Sequence, residues 1–289
     1  MYNKGYELLE LTKMENCRIS DIVLKNECKL LECNSQEVLE KTKGILRVML
    51  DASETAINKE VKSVSGLIGG NAKKLYEYNS KNLTVCGEIV NKAMARALSC
   101  SEVNASMGRV AAAPTAGSCG IVPAVIITAA EVLALDEDAM AAALLTASGI
   151  GQIIKKNATL SGAEGGCQAE CGAAAAMASA AVVELFGGTP EMCFDAAAIT
   201  LKCVLGLVCD PVAGLVEVPC SKRNAMGAVN ALAGADMALA GIKSVIPFDE
   251  VVEAMYKIGK VMPAALKETA LGGLAATATG QALKCRLNG

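Results

Sequence analysis

No histidine occurs anywhere in these 289 residues. The commonest general base and the commonest neutral metal ligand are therefore missing, and no Ser–His or Cys–His nucleophile can be built from this chain alone. Tryptophan is absent too, and there are only three phenylalanines. Hydrophobic residues still make up 53% of the chain. That content is carried by Ala, Val, Leu, Ile and Met, which suits closely packed helices better than strands. Basic charge is not in excess, since the formal net charge is −3. A general nucleic-acid or membrane surface is therefore not expected.

Long apolar runs are also missing. The N-terminal "MYNKGYELLELTKMENC" is charged throughout and has no signal-peptide core. The longest uncharged run, between Arg109 and Glu131, is broken by Pro114, Gly117, Gly120 and Pro123. It reads as a buried turn and helix start rather than a membrane span. The expectation is a soluble, cytoplasmic protein. Its thirteen cysteines would then be reduced, and an odd number does not favour full pairing in any case.

The patterns that are present are helical. Residues 1 to about 65 form a charged part with apolar residues at steps of three and four. Asn34 followed by Glu37 predicts a capping box, with a long helix from about Gln36. Further helices are expected over 83–98, 123–135, from Asp136 to near Gly149, and over 167–186, where Gly187-Gly188 ends the last of these. Thr189-Pro190-Glu191 predicts another start, and 225–240 and 249–260 complete the set. No alternating strand, fixed-period repeat or interdomain linker is evident. The fold class read from this is all-α, one catalytic domain over 1–289 with the charged N-terminal part packed on it. An Ala-rich α/β protein is the weaker alternative.

Chemistry must come from other side chains. No C-x-x-C pair, GxGxxG or Walker loop occurs, and "GLIGGN" (66–71) and "TAGSCG" (115–120) are glycine-rich turns that need not cradle a ligand. Cys17, Cys28, Cys33, Cys86, Cys100, Cys193 and Cys203 fall in helical patterns and read as small buried hydrophobes. Cys171, one turn after Cys167, reads the same way, and Cys119 lies in a turn. Cys167, Cys209 and Cys220 stand apart, because they follow Gly-Gly, precede Asp-Pro and follow Pro. Three thiols at backbone breaks suit an iron–sulfur cluster, with buried or redox-active thiols as the alternative.

Several stretches, "NATLSGAEGGCQAECG", "GLVCDPVAGLVEVPCSKRNAMGAVNA" and "APTAGSCGIVPAVI", carry a resemblance. With "SGLIGGNAKKL" and the segment from "IPFDEVVEAMYKIGK" to "GGLAATATG", they resemble the iron–sulfur-dependent L-serine dehydratases, in the α subunit of the two-subunit form. The resemblance runs over nearly the whole chain. It implies a [4Fe-4S] cluster on Cys167, Cys209 and Cys220, L-serine as substrate, and a partner β subunit. It also implies water loss that yields pyruvate and ammonia without pyridoxal phosphate. In that chemistry an iron with an open position acts as a Lewis acid toward the serine hydroxyl.

The remaining roles are expectations drawn from these residue types. Ser161, Glu164 and Lys73 are the catalytic candidates, with Ser118 and Lys74 also able to serve as base. Equally, Ser161 could cap the following helix and Glu164 could favour its dipole. Thr115, Gly117 and Ser118, ahead of a helix start at Pro123, are candidates for holding the substrate carboxylate. Asn224 is a further substrate candidate, next to Lys222 and Arg223, which could position cluster or substrate. Cys285 reads as a surface thiol rather than a fourth ligand. Two other readings are an iron–sulfur hydro-lyase for a different small hydroxy acid and a non-catalytic thiol-rich α-protein.

Overall fold

The Asn34 side chain accepts the Glu37 N–H at 3.0 Å, and Glu37 reaches back to the Asn34 N–H at 3.3 Å. The expected capping box is thus formed, and a helix of 24 residues follows it. The computed structural model describes residues 1–288, and among these it holds thirteen α-helices and no strand. They are α1 (Gly5–Glu15), α2 (Ile19–Leu31), α3 (Ser35–Asn58), α4 (Asn71–Lys81), α5 (Gly87–Ala105), α6 (Ile121–Val132) and α7 (Glu137–Asn157). After these come α8 (Gly162–Gly165), α9 (Ala173–Leu185), α10 (Pro190–Lys202), α11 (Cys220–Leu239), α12 (Phe248–Val261) and α13 (Ala278–Asn288). The all-α reading holds. Two isolated bridges, Lys62 with Gly69 and Cys209 with Lys267, are the extended pairings among the described residues.

Helix α9 is the axis of the packing. Every residue from Ala173 to Val183 is buried, and α6, α7, α10 and α11 all lie against it. Its alanines allow close approach, and glycines on its neighbours do the same. A methyl at Gly227 on α11 would press into Ile121 of α6, and one at Gly149 would lie 2.6 Å from Val23 of α2. Gly149 therefore does not end α7, as its type suggests; it is a contact point, and the helix runs on to Asn157. Thr189 caps α10 as expected, accepting the Met192 N–H at 3.3 Å, with Pro190 in the first turn.

The charged N-terminal part is tied down by carboxylates from the later helices. Glu184 at the end of α9 accepts the N–H groups of Ile19 and Ser20 at 3.0 and 3.3 Å, capping α2, and takes the Thr146 hydroxyl at 2.8 Å. Asp249 in α12 does the same for α1, accepting the N–H groups of Gly5 and Tyr6 at 2.7 and 3.1 Å. Negative charge at a helix N-terminus is favourable on both counts, hydrogen bonding and dipole.

Two of the cysteines expected inside are not. Cys100 and Cys193 are buried and Cys17, Cys28 and Cys33 half-buried, but Cys86 and Cys203 are exposed. Both lie at a helix end, ahead of α5 and just after α10, where the backbone turns away from the core. No helix among the described residues is long and apolar enough to cross a membrane.

Two glycines test the packing. Gly120 sits against α5, where an added methyl would lie 3.0 Å from the Ala97 Cα, whereas Gly44, exposed in α3, has open space around it. Gly120→Ala is expected to destabilise by about 1–3 kcal/mol through overpacking. Gly44→Ala should stabilise by about 1 kcal/mol through helix propensity. Urea denaturation of the two variants measures both signs.

Candidate functional site

Cys167, Cys209 and Cys220 come from three separate segments and line one cavity of about 240 Å³, together with Thr115, Ala116, Gly117, Glu170, Pro211, Val216 and Glu268. Cys167 opens a π-helical turn, Gln168–Gly172, that leads into α9. Cys209 lies in the extended loop after α10, and Cys220 is the first residue of α11. A wider π-turn re-aims the side chains it carries, and such turns recur at functional sites. Here it turns Cys167 and Glu170 toward the same cavity.

Buried polar side chains hold these segments in register. Gln168, fully buried, donates to the carbonyls of Gly165 and Met255 at 2.9 and 3.1 Å and accepts the Gly206 N–H at 2.9 Å. It thereby links the Cys167 turn to α12 and to the loop carrying Cys209. Arg223, on α11, pairs with Asp210 at 2.8 Å and donates to the Val208 carbonyl at 2.9 Å, flanking Cys209 on both sides. The Leu274 N–H gives Asp210 a further partner at 2.7 Å. Cys209 is also bonded through its backbone, its N–H to Leu266 O at 2.9 Å and its carbonyl to Glu268 N–H at 2.7 Å.

The thiols differ in electrostatic setting. The Cys167 and Cys171 sulfurs lie 3.4 Å apart. The hydrogen bond they share, with help from the Arg223 charge, holds Cys167 below the usual thiol range despite its burial. Burial pushes Cys209 up, and it pushes Cys220 up to about 12, in each case with the Cys167 charge adding to the effect. Cys171 faces Cys167 but does not line the cavity. Cys285 is exposed on α13, in keeping with a surface thiol. Among the described residues no three His, Cys, Asp or Glu side chains converge tightly enough to hold a single metal ion.

A second cavity of about 500 Å³ adjoins the first and is more open. Thr115, Glu170 and Glu268 line both; Lys155, Thr159, Ser161, Gly162 and Glu164 line the outer one. Ser161 precedes α8 but makes no side-chain cap, so its hydroxyl remains available to the cavity. Glu164 is exposed and accepts the Thr159 hydroxyl at 2.6 Å. Thr115 donates to Glu170 at 2.8 Å and lies 3.2 Å from the Ser118 hydroxyl. Glu170 is raised above the ordinary carboxylate range, chiefly by burial.

Other expected site residues fall elsewhere. Lys73, half-buried on α4, lines neither cavity. Ser118 is fully buried and closes the 3₁₀ turn Ala116–Ser118 with Thr115. Asn224 donates to the carbonyls of Gly117 and Cys220 at 2.7 and 3.0 Å and accepts the Gly120 N–H at 2.9 Å. Its amide is thus engaged in fixing the turn to α11, and Asn224 lines neither cavity. The following helix begins at Ile121 rather than Pro123, and its start is buried, so it offers no open anion site. Lys222 is exposed, and of the basic pair only Arg223 reaches the cysteine loop. Glu170 and Glu268 were not singled out in the sequence. Glu170 lies within the cysteine motif itself, but only the π-turn turns it inward; Glu268 arrives through the Cys209 bridge, which no local pattern announces.

The family model for the serine dehydratase alpha chain matches residues 14–275. This chain belongs to the serine dehydratase alpha chain family. The match spans all the segments that form the two cavities. A probable L-serine dehydratase alpha chain of Bacillus subtilis is 49% identical over 292 aligned positions, covering 100% of this chain and 96% of that protein. The L-serine dehydratase alpha chain of Peptoniphilus asaccharolyticus is 48% identical over 284, covering 98% and 97%. L-serine dehydratase 2 of Escherichia coli is 37% identical over 286, covering 95% of this chain but 61% of that longer protein.

The Arg223–Asp210 pair yields a stability prediction for this family member. Asp210 is almost fully buried, and Arg223 largely so. Arg223→Met leaves a buried carboxylate without its cation, and a loss of about 3–5 kcal/mol is expected. The double variant Arg223→Met/Asp210→Leu should recover part of it. Denaturant midpoints of the three proteins check this.

Proposed function

We propose that this chain is the catalytic α subunit of a two-subunit L-serine dehydratase that carries a [4Fe-4S] cluster on Cys167, Cys209 and Cys220. The observation that carries the reading is the meeting of these three thiols, from three chain segments, on the wall of one cavity. The donor set fits: thiolates are the ordinary ligands of iron–sulfur clusters. The arrangement fits as well, because a cluster several atoms across needs its ligands spread around a space, not converged on a point. Held by three thiolates, such a cluster supplies an iron without a protein ligand, a Lewis acid toward a hydroxyl group.

The chain's own residues account for the rest. L-serine occupies the outer cavity with its hydroxyl toward the thiols. Glu170, on the wall common to both cavities, accepts the α-proton; Thr115 holds one carboxylate oxygen and so orients the other. Ser161 lines the approach and contributes its hydroxyl to binding. Glu164 stands at the exposed rim, and Lys73 has no part in the reaction. Loss of water leaves aminoacrylate, which tautomerises and hydrolyses to pyruvate and ammonia, and no pyridoxal phosphate is needed. A β subunit completes the enzyme, in line with near full-length likeness to proteins named as alpha chains and with the greater length of the E. coli relative.

Anaerobic reconstitution followed by iron and sulfide analysis tests the ligands. Cys209→Ala and Cys220→Ala are expected to lose iron, and Cys193→Ala, buried on α10, to retain it. Equal iron in all three would refute the ligand set. In the enzyme co-expressed with its β subunit, Glu170→Gln should lower kcat for L-serine by about 10²–10⁴ at unchanged iron content.

A further inference from the structure

The outer cavity is lined by side chains of opposite charge from separate segments of the chain. Lys155, in the last turn of α7, and Glu268, in the segment paired with Cys209, both line it. Both side chains are open to solvent, and among the described residues neither is taken up in an ion pair. The cation nearest the thiols, Arg223, is committed to Asp210 and to the Val208 carbonyl. Lys155 is therefore the cation of the outer cavity, while Glu268 lines the inner one as well. The Glu268 charge is felt by both Glu170 and Cys209, which places it at the junction and not at the distant rim.

This distribution suits one kind of small molecule. A dicarboxylate would bring a second anionic charge past Glu268 and Glu170 toward the thiols, at an electrostatic cost, and a simple hydroxy acid would leave Glu268 without a cation. A zwitterion meets a complement at each end. Its ammonium can approach Glu268 at the junction, where it also offsets the surrounding negative charge, and its carboxylate can turn outward to Lys155. We infer that Glu268 and Lys155 are the two specificity-determining residues of the site, selecting a zwitterionic β-hydroxy amino acid by its ammonium and its carboxylate respectively. The inference rests on the site reading above and adds to it which residue reads which group. Specificity in such a site comes from the charge that the wrong molecule lacks as much as from contacts to the right one.

The test uses the reconstituted α–β enzyme and two inhibitors that each lack one pole, 3-hydroxypropanoate without the amine and ethanolamine without the carboxylate. Glu268→Gln is expected to weaken L-serine and ethanolamine about tenfold, as for loss of one charge-assisted hydrogen bond, and to leave 3-hydroxypropanoate no weaker. Lys155→Gln should give the mirror result, weakening L-serine and 3-hydroxypropanoate about tenfold and sparing ethanolamine. Iron content and visible spectrum are measured on each variant, and both should match the parent protein. The inference is overturned if a variant weakens both analogues alike, or neither, or if neither analogue inhibits the parent enzyme at saturating concentration. A parent enzyme that holds iron and dehydrates L-serine while the analogues fail to sort removes this inference alone. One that holds no iron or leaves L-serine unchanged removes the site reading and this inference together.

Discussion

The buried ion pair of Arg223 with Asp210 holds together what the chain keeps far apart. Its two members flank the cysteine-bearing segments: Asp210 directly follows Cys209, and Arg223 lies one turn beyond Cys220. The pair joins the loop after α10, which holds only the short 3₁₀ turn Val212–Gly214 and isolated backbone bonds, to the start of α11. A buried pair of this kind is not a strong source of net stability, because desolvation consumes most of the attraction. Its contribution is geometric. Gln168 and Asn224 act in the same way on the other two walls, each replacing absent strand pairing with a few satisfied side-chain bonds.

The helical scaffold makes such a site possible by being tight. With α9 reduced largely to alanine, its neighbours approach closely, and interiors packed to that density have little freedom to shift. The cavity walls are therefore set by backbone positions more than by adaptable side chains. Large aromatic residues, scarce in this chain, would have kept the helices farther apart.

The parts of the structure that local chemistry controls were legible in the sequence. The capping box at Asn34, the Thr189-Pro190 start and the absence of strands all follow from residue types within a few positions. So did the three cysteines at backbone breaks, which do meet on one wall, although their spacing alone left buried thiols open as an alternative. What escaped was set by distant partners. Gly149 reads as a helix end, but α2 uses it as a point of close approach. Cys86 and Cys203 read as core residues because their helical patterns continue past the places where the helices actually turn outward. Asn224 reads as a ligand group until three backbone atoms from two segments are seen to occupy it. Glu170 required a change of helical pitch that no residue type encodes, and Lys73 belonged to a motif whose helix packs on α3 and α5, not on either cavity.

The bridge between Cys209 and Lys267 has a consequence for traffic. The segment carrying Glu268 covers one side of the cavity, yet it shares two backbone hydrogen bonds with the very residue that supplies a thiol. Swinging it aside would strip Cys209 of its anchorage, so it cannot serve as a door. The more open approach to the site is the outer cavity, lined by Lys155, Thr159 and Glu164. The outer cavity is thus a vestibule whose Glu268 wall is pinned to a thiol-bearing residue, and the thiols line the narrower cavity that adjoins it.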